Sequence, residues 1–252
     1  NSAWIDAPLM RLVKALGTLF TDDQRLTLDG LTERLELPVT ADSPEVRELE
    51  AAFNDNPRWE ANMLHNLNVK QFIGGKRLSE HLAHYMLAGT INVQGVQGGY
   101  QDSVYYTAMP GNARAKVDIR FPPGITPPEV ADLVQAHLDA RGHTMVRLRQ
   151  LRGYSAASAL PESDDTLLQA ARAVAAQHEV SVAVWPIANN CCPASLLTTL
   201  GKQIPFSIAG TGHGDRAHAP DEYFTVGSVE KLMHWTVDYL HAWAQIVRSR
   251  RS

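Results

Sequence analysis

Residues 90–142 read TINVQGVQGGYQDSVYYTAMPGNARAKVDIRFPPGITPPEVADLVQAHLDARG, and they contain the clearest strand and helix signals in the first part of the chain. Residues 90–96 alternate between apolar and polar side chains, which is the pattern of a half-buried β-strand. Residues 103–109 and 113–121 predict two more strands, because a Pro-Gly-Asn turn at residues 110–112 separates them.

A helix and a fourth strand follow these three strands. Thr126 precedes two prolines and Glu129, which is the pattern of a helix start, and apolar residues recur at helical spacing until Gly142. Residues 143–151 again have the composition of a strand. The order strand, strand, strand, helix, strand predicts a small antiparallel sheet with a helix packed on one face.

Helices are predicted in the residues before this sheet. Ser43, Pro44 and Glu45 combine an N-cap residue, a proline at the first helical position and an acid in the first turn. Gly89 is a helix-stop signal that comes directly before the first strand. The predicted helices cover residues 8–20, 43–54, 59–67 and 79–87.

A different pattern begins near the middle of the chain. Residues 155–163 are small and polar and contain a proline, which is typical of a linker. A helix over residues 164–178, a buried strand over residues 180–185 and a long helix capped by Ser228 are then predicted. Alternating strands and helices favour an α/β layer in this part of the chain.

The length of 252 residues permits one large domain or two small ones. The two patterns predict two domains, the first at residues 1–157 and the second at residues 158–252. The predicted fold class is therefore α/β and α+β, with a small antiparallel sheet and its helices followed by part of an α/β domain.

Composition excludes several classes of protein. Lys and Arg total 23 against 27 Asp and Glu, so the formal net charge of -4 predicts neither a nucleic-acid partner nor an anionic membrane surface. The sequence contains no run of about 18 apolar residues, so no membrane span is predicted. The adjacent Cys191 and Cys192 are the only cysteines and cannot build a disulfide framework, so a reducing, cytoplasmic setting is expected.

The densest polar cluster lies at residues 210–224. It contains His213, Asp215 and His218, and imidazole and carboxylate groups are the usual ligands of a catalytic zinc. The alternative is a polar loop with surface histidines, because no standard two-ligand zinc spacing is present. Both interpretations stay open on the residues alone.

Arg120 lies at the end of a predicted strand. An arginine in this position can hold a carboxylate with two parallel hydrogen bonds. The alternative is a salt bridge with Asp118 on the same strand. Thr107 on the neighbouring predicted strand could be present only as a good β-former.

Four segments in register resemble the dipeptidase and carnosinase-like branch of the M20 metallopeptidases. No single segment is decisive, but their order along the chain also agrees with that family. The segments are PLMRLVKAL at residues 8–16, FIGG at 72–75 with TINVQGVQGGY at 90–100, TAMPGNARAKVDIRFP at 107–122, and AHAPDEY at 217–223.

The resemblance implies a two-domain metallohydrolase that cleaves an amide bond in a dipeptide or an N-acyl amino acid. One domain would bind two zinc ions, which polarise the substrate carbonyl and lower the pKa of a bridging water. An inserted lid domain would close over the substrate and form a homodimer. On this basis residues 1–157 correspond to the lid and residues 158–252 to the C-terminal part of the zinc-peptidase domain.

The resemblance also assigns roles to four residues. His218 matches a zinc ligand of the C-terminal half. Arg120 and Thr107 match lid residues that bind the carboxylate end of the substrate, often across the dimer. Cys191 matches a serine that hydrogen-bonds the substrate, although a thiol is a weaker donor than a hydroxyl.

Other expected motifs of the family do not occur in these 252 residues. They are an early His-x-Asp, a bridging Asp, a Glu-Glu pair and a further acid, which supply most metal ligands and the general base. We therefore expect no catalytic residue in this chain, one zinc ligand of a two-zinc site, and negligible amidase activity for the chain alone. The alternative hypothesis is a non-catalytic dimerisation module derived from such a peptidase.

Overall fold

The computed structural model describes most of the chain, and the contacts divide it into two compact units. Unit 1 comprises residues 1–40, 83–158 and 187–195, and unit 2 comprises residues 41–82, 159–186 and 196–252. The described residues are 4–35, 40–101, 103, 106–154, 156–158, 166–180, 182–191, 196, 214–217 and 220–250. The predicted domain boundary between residues 157 and 158 stays a prediction.

Within these ranges the chain forms seven α-helices and three two-stranded antiparallel sheets, in agreement with the predicted fold class. The helices are α1 (Pro8–Gly17), α2 (Pro44–Asn54), α3 (Pro57–Asn66), α4 (Ser79–Leu87), α5 (Pro127–Ala140), α6 (Thr166–Gln177) and α7 (Val226–Ser249). The strands are β1 (Thr90–Gly98), β2 (Ala113–Arg120), β3 (Ala156–Ser158), β4 (Ala188–Cys191), β5 (Gly214–Asp215) and β6 (Tyr223–Phe224).

The core of unit 1 forms between α1, α5 and the loop residues that follow α1. Each helix has apolar residues at helical spacing, so one face of the helix is buried. The α5 helix begins with a capping box, in which the Glu129 carboxylate accepts hydrogen bonds from the backbone N–H and the hydroxyl of Thr126. The buried core residues are Ala15, Leu19, Leu26, Leu28, Leu31, Phe121, Ile125, Val130, Leu133, Val134 and Leu138.

The β1–β2 ladder separates an apolar face from a polar one. Side chains alternate between the two faces of a strand, and residues paired across the ladder share a face. Ile91 and Ile119 are paired and pack against the core of unit 1. The opposite face therefore carries the polar pairs Thr90–Arg120 and Asn92–Asp118.

Gly89 connects α4 to β1 in a conformation that favours glycine. Its φ is +78°, and a Cβ atom at this position would lie 2.6 Å from the carbonyl oxygen of Arg120. Any side chain would therefore meet both backbone strain and a steric clash. Gly89 thus ends α4, as predicted, and also allows the first residue of β1 to lie beside the last residue of β2.

A buried histidine joins three segments of unit 1. The His137 side chain on α5 accepts a hydrogen bond at Nδ1 from the backbone N–H of Asp29, with a donor–acceptor distance of 3.3 Å. Burial lowers the pKa of His137 despite an opposing backbone hydrogen bond to Thr18. The Asp29 carboxylate in turn binds the guanidinium of Arg141, and this hydrogen bond is the main reason that the pKa of Asp29 is lowered.

Unit 2 is held by contacts between helices. Trp235 on α7 is buried against Val174 and Ala175 of α6, and its ring lies beside the His178 imidazole. The His178 Nε2 atom lies 2.7 Å from the Asp238 carboxylate, which adds a polar contact between the end of α6 and α7.

Three strand predictions are wrong for the described residues. Residues 106–109 are irregular, and residues 182–185 are an irregular segment with an exposed Trp185. Residues 143–151 also form no strand, because the Gln135 side chain occupies backbone groups that a strand partner would use. Its amide binds the carbonyl oxygen of residue 146 at 3.1 Å and the N–H of residue 148 at 3.0 Å.

The start of α7 differs slightly from its prediction, since Thr225 and not Ser228 is the N-cap residue. The hydroxyls of these two residues are hydrogen-bonded to each other. Both can serve a helix start because each carries a short side-chain oxygen.

In the described part of the chain, no helix has the length and apolar character that a membrane span requires.

Candidate functional site

Arg120 is the last residue of β2, as the sequence predicts. Its Nε donates a hydrogen bond to the Asp118 carboxylate at 3.4 Å, so the alternative of a same-strand salt bridge is observed. The side chains of Arg120 and Asp118 are 42% and 39% exposed. Exposed ion pairs of this kind contribute little to stability, so the pair does not prevent Arg120 from binding a ligand.

Two further polar residues lie beside this pair on the same face of the ladder. Thr90 is paired with Arg120, and Asn92 is paired with Asp118. Paired residues in an antiparallel ladder have their Cβ atoms about 4.5–5.5 Å apart. We call Thr90, Asn92, Asp118 and Arg120 the polar quartet; it contains a fixed cation, a carboxylate and two neutral hydrogen-bonding groups.

Thr107 lies in an exposed irregular segment and not on a strand. The chain segment that carries it connects Gly98 to Ala113, and these two residues pair at the end of the ladder opposite to Arg120. The eight residues of β2 span about 23 Å. The ladder therefore does not bring the connection that carries Thr107 to the end that carries Arg120.

Cys191 is the last residue of β4, where its backbone pairs with Ala156 of β3. The β4 strand contacts β2, the strand that ends at Arg120. The fold of unit 1 thus brings the strands of two predicted substrate-binding residues next to each other.

Two short antiparallel strands of unit 2 lie in the described part of the predicted metal-binding segment. The β5 and β6 strands pair through Gly214–Phe224 and Asp215–Tyr223. Arg216 and Asp221 both have left-handed backbone conformations, with φ values of +61° and +60°. Their side chains are 3.6 Å apart in an ion pair, and Asp tolerates this conformation better than most residues.

Asp215 is hydrogen-bonded to the side-chain amide of Asn66 at the end of α3 and, at 2.7 Å, to the backbone N–H of Arg216. His213 and His218 lie outside the described residues. Among the residues that the structure describes, no three His, Cys, Asp or Glu side chains converge as a metal site. The described residues therefore do not fit a metal centre by themselves.

Two contacts at these sites have no local signal in the amino-acid sequence. Asn66 and Asp215 are separated by 149 positions, and no local pattern connects them. Gly89 was predicted only as a helix stop, and its approach to the carbonyl of Arg120 depends on the strand register. The register of β1 against β2 could have been inferred from the sequence, because residues 90–93 and 117–120 both alternate between polar and apolar side chains and pair like with like.

Comparison with known proteins gives the family. Residues 12–146, more than half of the chain, match the M20 family described as the peptidase dimerisation domain. The mouse (Mus musculus) Beta-Ala-His dipeptidase is 25% identical over 137 residues, which are 54% of this chain and 26% of that protein.

Two solved structures have a similar fold. The M20 family metallo-carboxypeptidase Sso-CP2 from Sulfolobus solfataricus aligns with 96% of this chain and 54% of its own, with a TM-score of 0.73 and 23% identity. Human carnosine dipeptidase 1 aligns with 96% of this chain and 51% of its own, with a TM-score of 0.68 and 18% identity. The chain thus spans about half the length of these structures and about a quarter of the mouse dipeptidase. Since the family match covers more than half of its residues, the chain belongs to the M20 peptidases and contains their dimerisation domain.

Proposed function

We propose that the chain is the lid and the C-terminal part of the catalytic domain of a zinc-dependent M20 hydrolase. Its reaction would be cleavage of an amide bond in a dipeptide or an N-acyl amino acid. Membership of the M20 peptidases supports the reaction class, and the similarity to a mouse Beta-Ala-His dipeptidase supports a small peptide substrate.

The exposed guanidinium of Arg120 is the observation that carries this proposal. Apart from its bond to Asp118, it has no hydrogen bond to any described residue. A guanidinium binds a carboxylate through two parallel N–H donors, which neither a lysine nor a neutral side chain can do. Arg120 would therefore select substrates with a free carboxylate.

Three further residues are proposed to complete the substrate and metal contacts. Thr107 would bind the carboxylate end of the substrate, and Cys191 would contact the substrate from β4. His218 would contribute one ligand to a site that holds two zinc ions when complete. A reducing, cytoplasmic setting remains part of the proposal, since it follows from the cysteine content.

The β1 strand is the proposed homodimer contact. Within the described residues β1 pairs only with β2, so its other edge has no strand partner there. The nine residues of β1 include no charged side chain and no proline, and these are the features that usually prevent edge pairing.

The proposal has a direct biochemical test. The purified 252-residue chain, supplied with zinc, is expected to show negligible turnover of a panel of dipeptides because one proposed ligand cannot hold a zinc pair. Robust turnover by this chain would contradict the assignment of the missing groups to other segments.

A non-catalytic module that dimerises through the lid is the second candidate, favoured by the match to a dimerisation domain. The gene sequence upstream of Asn1 discriminates between the two. An open frame that encodes His-x-Asp and Glu-Glu segments supports the hydrolase, whereas a start codon at this boundary supports the module.

A further inference from the structure

The Asp118–Arg120 pair uses only one side of the guanidinium. The Asp118 oxygen lies 3.4 Å from Nε, the donor closest to the arginine stem. Among the described residues, no partner binds the two terminal nitrogens. With respect to the described residues, the edge formed by these two nitrogens is therefore available for a second, incoming carboxylate.

An arginine can bind a carboxylate through either of two edges. One edge combines Nε with one terminal nitrogen, and the other combines the two terminal nitrogens. An acceptor on Nε makes the first edge unavailable and limits the rotation of the guanidinium about the side-chain stem. A carboxylate ligand would then approach along the axis of the arginine side chain and not from its side.

A second Asp–Arg ion pair in unit 1 has the same two-residue spacing and serves as a comparison. Arg25 binds Asp23 through the same Nε atom, also two residues apart, at a shorter distance of 2.7 Å and with similar exposure. That pair belongs to a turn, where Asp23 also accepts a hydrogen bond from Thr21. Asp118 differs because its neighbours are the strand-paired polar residues of the quartet.

We infer that Asp118 is a positioning residue for Arg120, which orients the guanidinium so that its two terminal nitrogens bind the free carboxylate of a peptide substrate. The inference rests on the proposed function, because it needs Arg120 to bind that carboxylate. Asp118 would then be a second residue that determines substrate selectivity. Its presence is predicted to strengthen binding of the substrate carboxylate, although Asp118 and that carboxylate are both negatively charged.

Ligand binding to the 252-residue chain tests this directly. The Nε–H resonance of Arg120 is followed by NMR while β-alanyl-histidine, or the same dipeptide with a C-terminal carboxamide, is added. The parent chain is expected to bind the acid roughly tenfold more tightly than the amide, as for a charge-assisted bidentate pair. Arg120→Lys is expected to remove most of this preference, because an ammonium keeps the charge but not the two parallel donors.

The variants at Asp118 decide the inference. Asp118→Ala is expected to reduce the preference for the acid at least threefold, and Asp118→Glu, which keeps the acceptor, is expected to restore part of it. Asp23→Ala removes the matched pair and is expected to leave the preference unchanged. An unchanged β1–β2 amide spectrum verifies that each variant keeps the ladder.

Two results would overturn the inference, and they are distinguishable. If Arg120→Lys loses most of the parent's preference for the acid, but Asp118→Ala keeps the full preference, then Arg120 acts without Asp118 and the proposed function stands. If the parent itself shows no preference for the acid, the carboxylate role of Arg120 fails, and the inference fails with it.

Discussion

The Nε2 atom of His137 lies 3.0 Å from the carbonyl oxygen of Thr18, in the turn that ends α1. Because Nδ1 accepts the backbone N–H of Asp29, the neutral ring carries its proton on Nε2 and donates it to Thr18. One buried imidazole thus joins the end of α1, the following loop and α5. This arrangement requires the neutral form, since a protonated ring could not accept the N–H of Asp29.

Acid is therefore expected to destabilise unit 1 in a specific pH range. The pKa of His137 is lowered in the folded chain, mainly by burial, from the value of 6.5 expected for an unperturbed histidine. The stabilisation by the neutral ring is complete above pH 6.5 and declines as the pH falls below 6.5, by up to about 1.4 kcal/mol per pH unit, because only the unfolded chain then binds a proton. Urea unfolding at pH 7.5 and 5.5 measures this, and His137→Gln should reduce the pH dependence. An equal pH dependence in both proteins would contradict the role of His137.

Gly89→Ala is expected to destabilise the β1–β2 ladder. The new methyl group would clash with the carbonyl of Arg120, and the positive φ adds a backbone cost, so the loss should be at least about 1 kcal/mol. Gly95→Ala is the matched control within β1, because no atom lies within 4 Å of a Cβ there. The free energy of unfolding is measured for both variants. Equal values would contradict the close approach of Gly89 to the carbonyl oxygen of Arg120.

The hydrogen bond between Asn66 and Asp215 should stabilise the β5–β6 strand pair. Asn66→Asp places a second carboxylate beside Asp215, so the two side chains would repel each other instead of forming a hydrogen bond. Amide hydrogen exchange at residues 214–224 is expected to become faster in this variant. Asn112→Asp adds the same charge at an exposed loop position and should leave this exchange unchanged. Unaltered exchange in Asn66→Asp would show that the contact does not hold the strand pair.

A charge on the exposed edge strand should weaken the proposed dimer. Val96 is exposed on β1, and a lysine there would place a charge on the edge strand that the two chains are proposed to share. Sedimentation velocity is expected to give a dimer for the parent and a shift toward monomer for Val96→Lys. Val69→Lys, at an exposed apolar position outside the strands, is the control. A dimer that persists in Val96→Lys would place the interface elsewhere.

The sequence predicted those elements that have strong local signals. Helix α4 and its stop at Gly89, and helix α5 with its start at Thr126, were predicted correctly because caps and glycines act within a few residues. The strand predicted over residues 143–151 was wrong, since Gln135 binds that backbone through a contact that periodicity does not reveal.

The candidate site was predictable to a similar extent. The position of Arg120 at a strand end followed from alternation, and its family role followed from resemblance. The position of Thr107 relative to Arg120 could not be predicted, because it depends on which end of the ladder is joined by the segment that carries Thr107. The bond from Asn66 to Asp215 likewise arises only when distant segments meet in the folded chain.

Hydrolysis by the product of the complete open reading frame shows whether this M20 protein selects a free substrate carboxylate through Arg120. The values of kcat/KM for β-alanyl-histidine and for its C-terminal carboxamide are measured with zinc, in the parent and in Arg120→Lys. We expect hydrolysis of the acid with at least about a tenfold preference over the amide, and loss of most of that preference in Arg120→Lys. Absence of hydrolysis by the parent, or an equal preference in the two proteins, would contradict it.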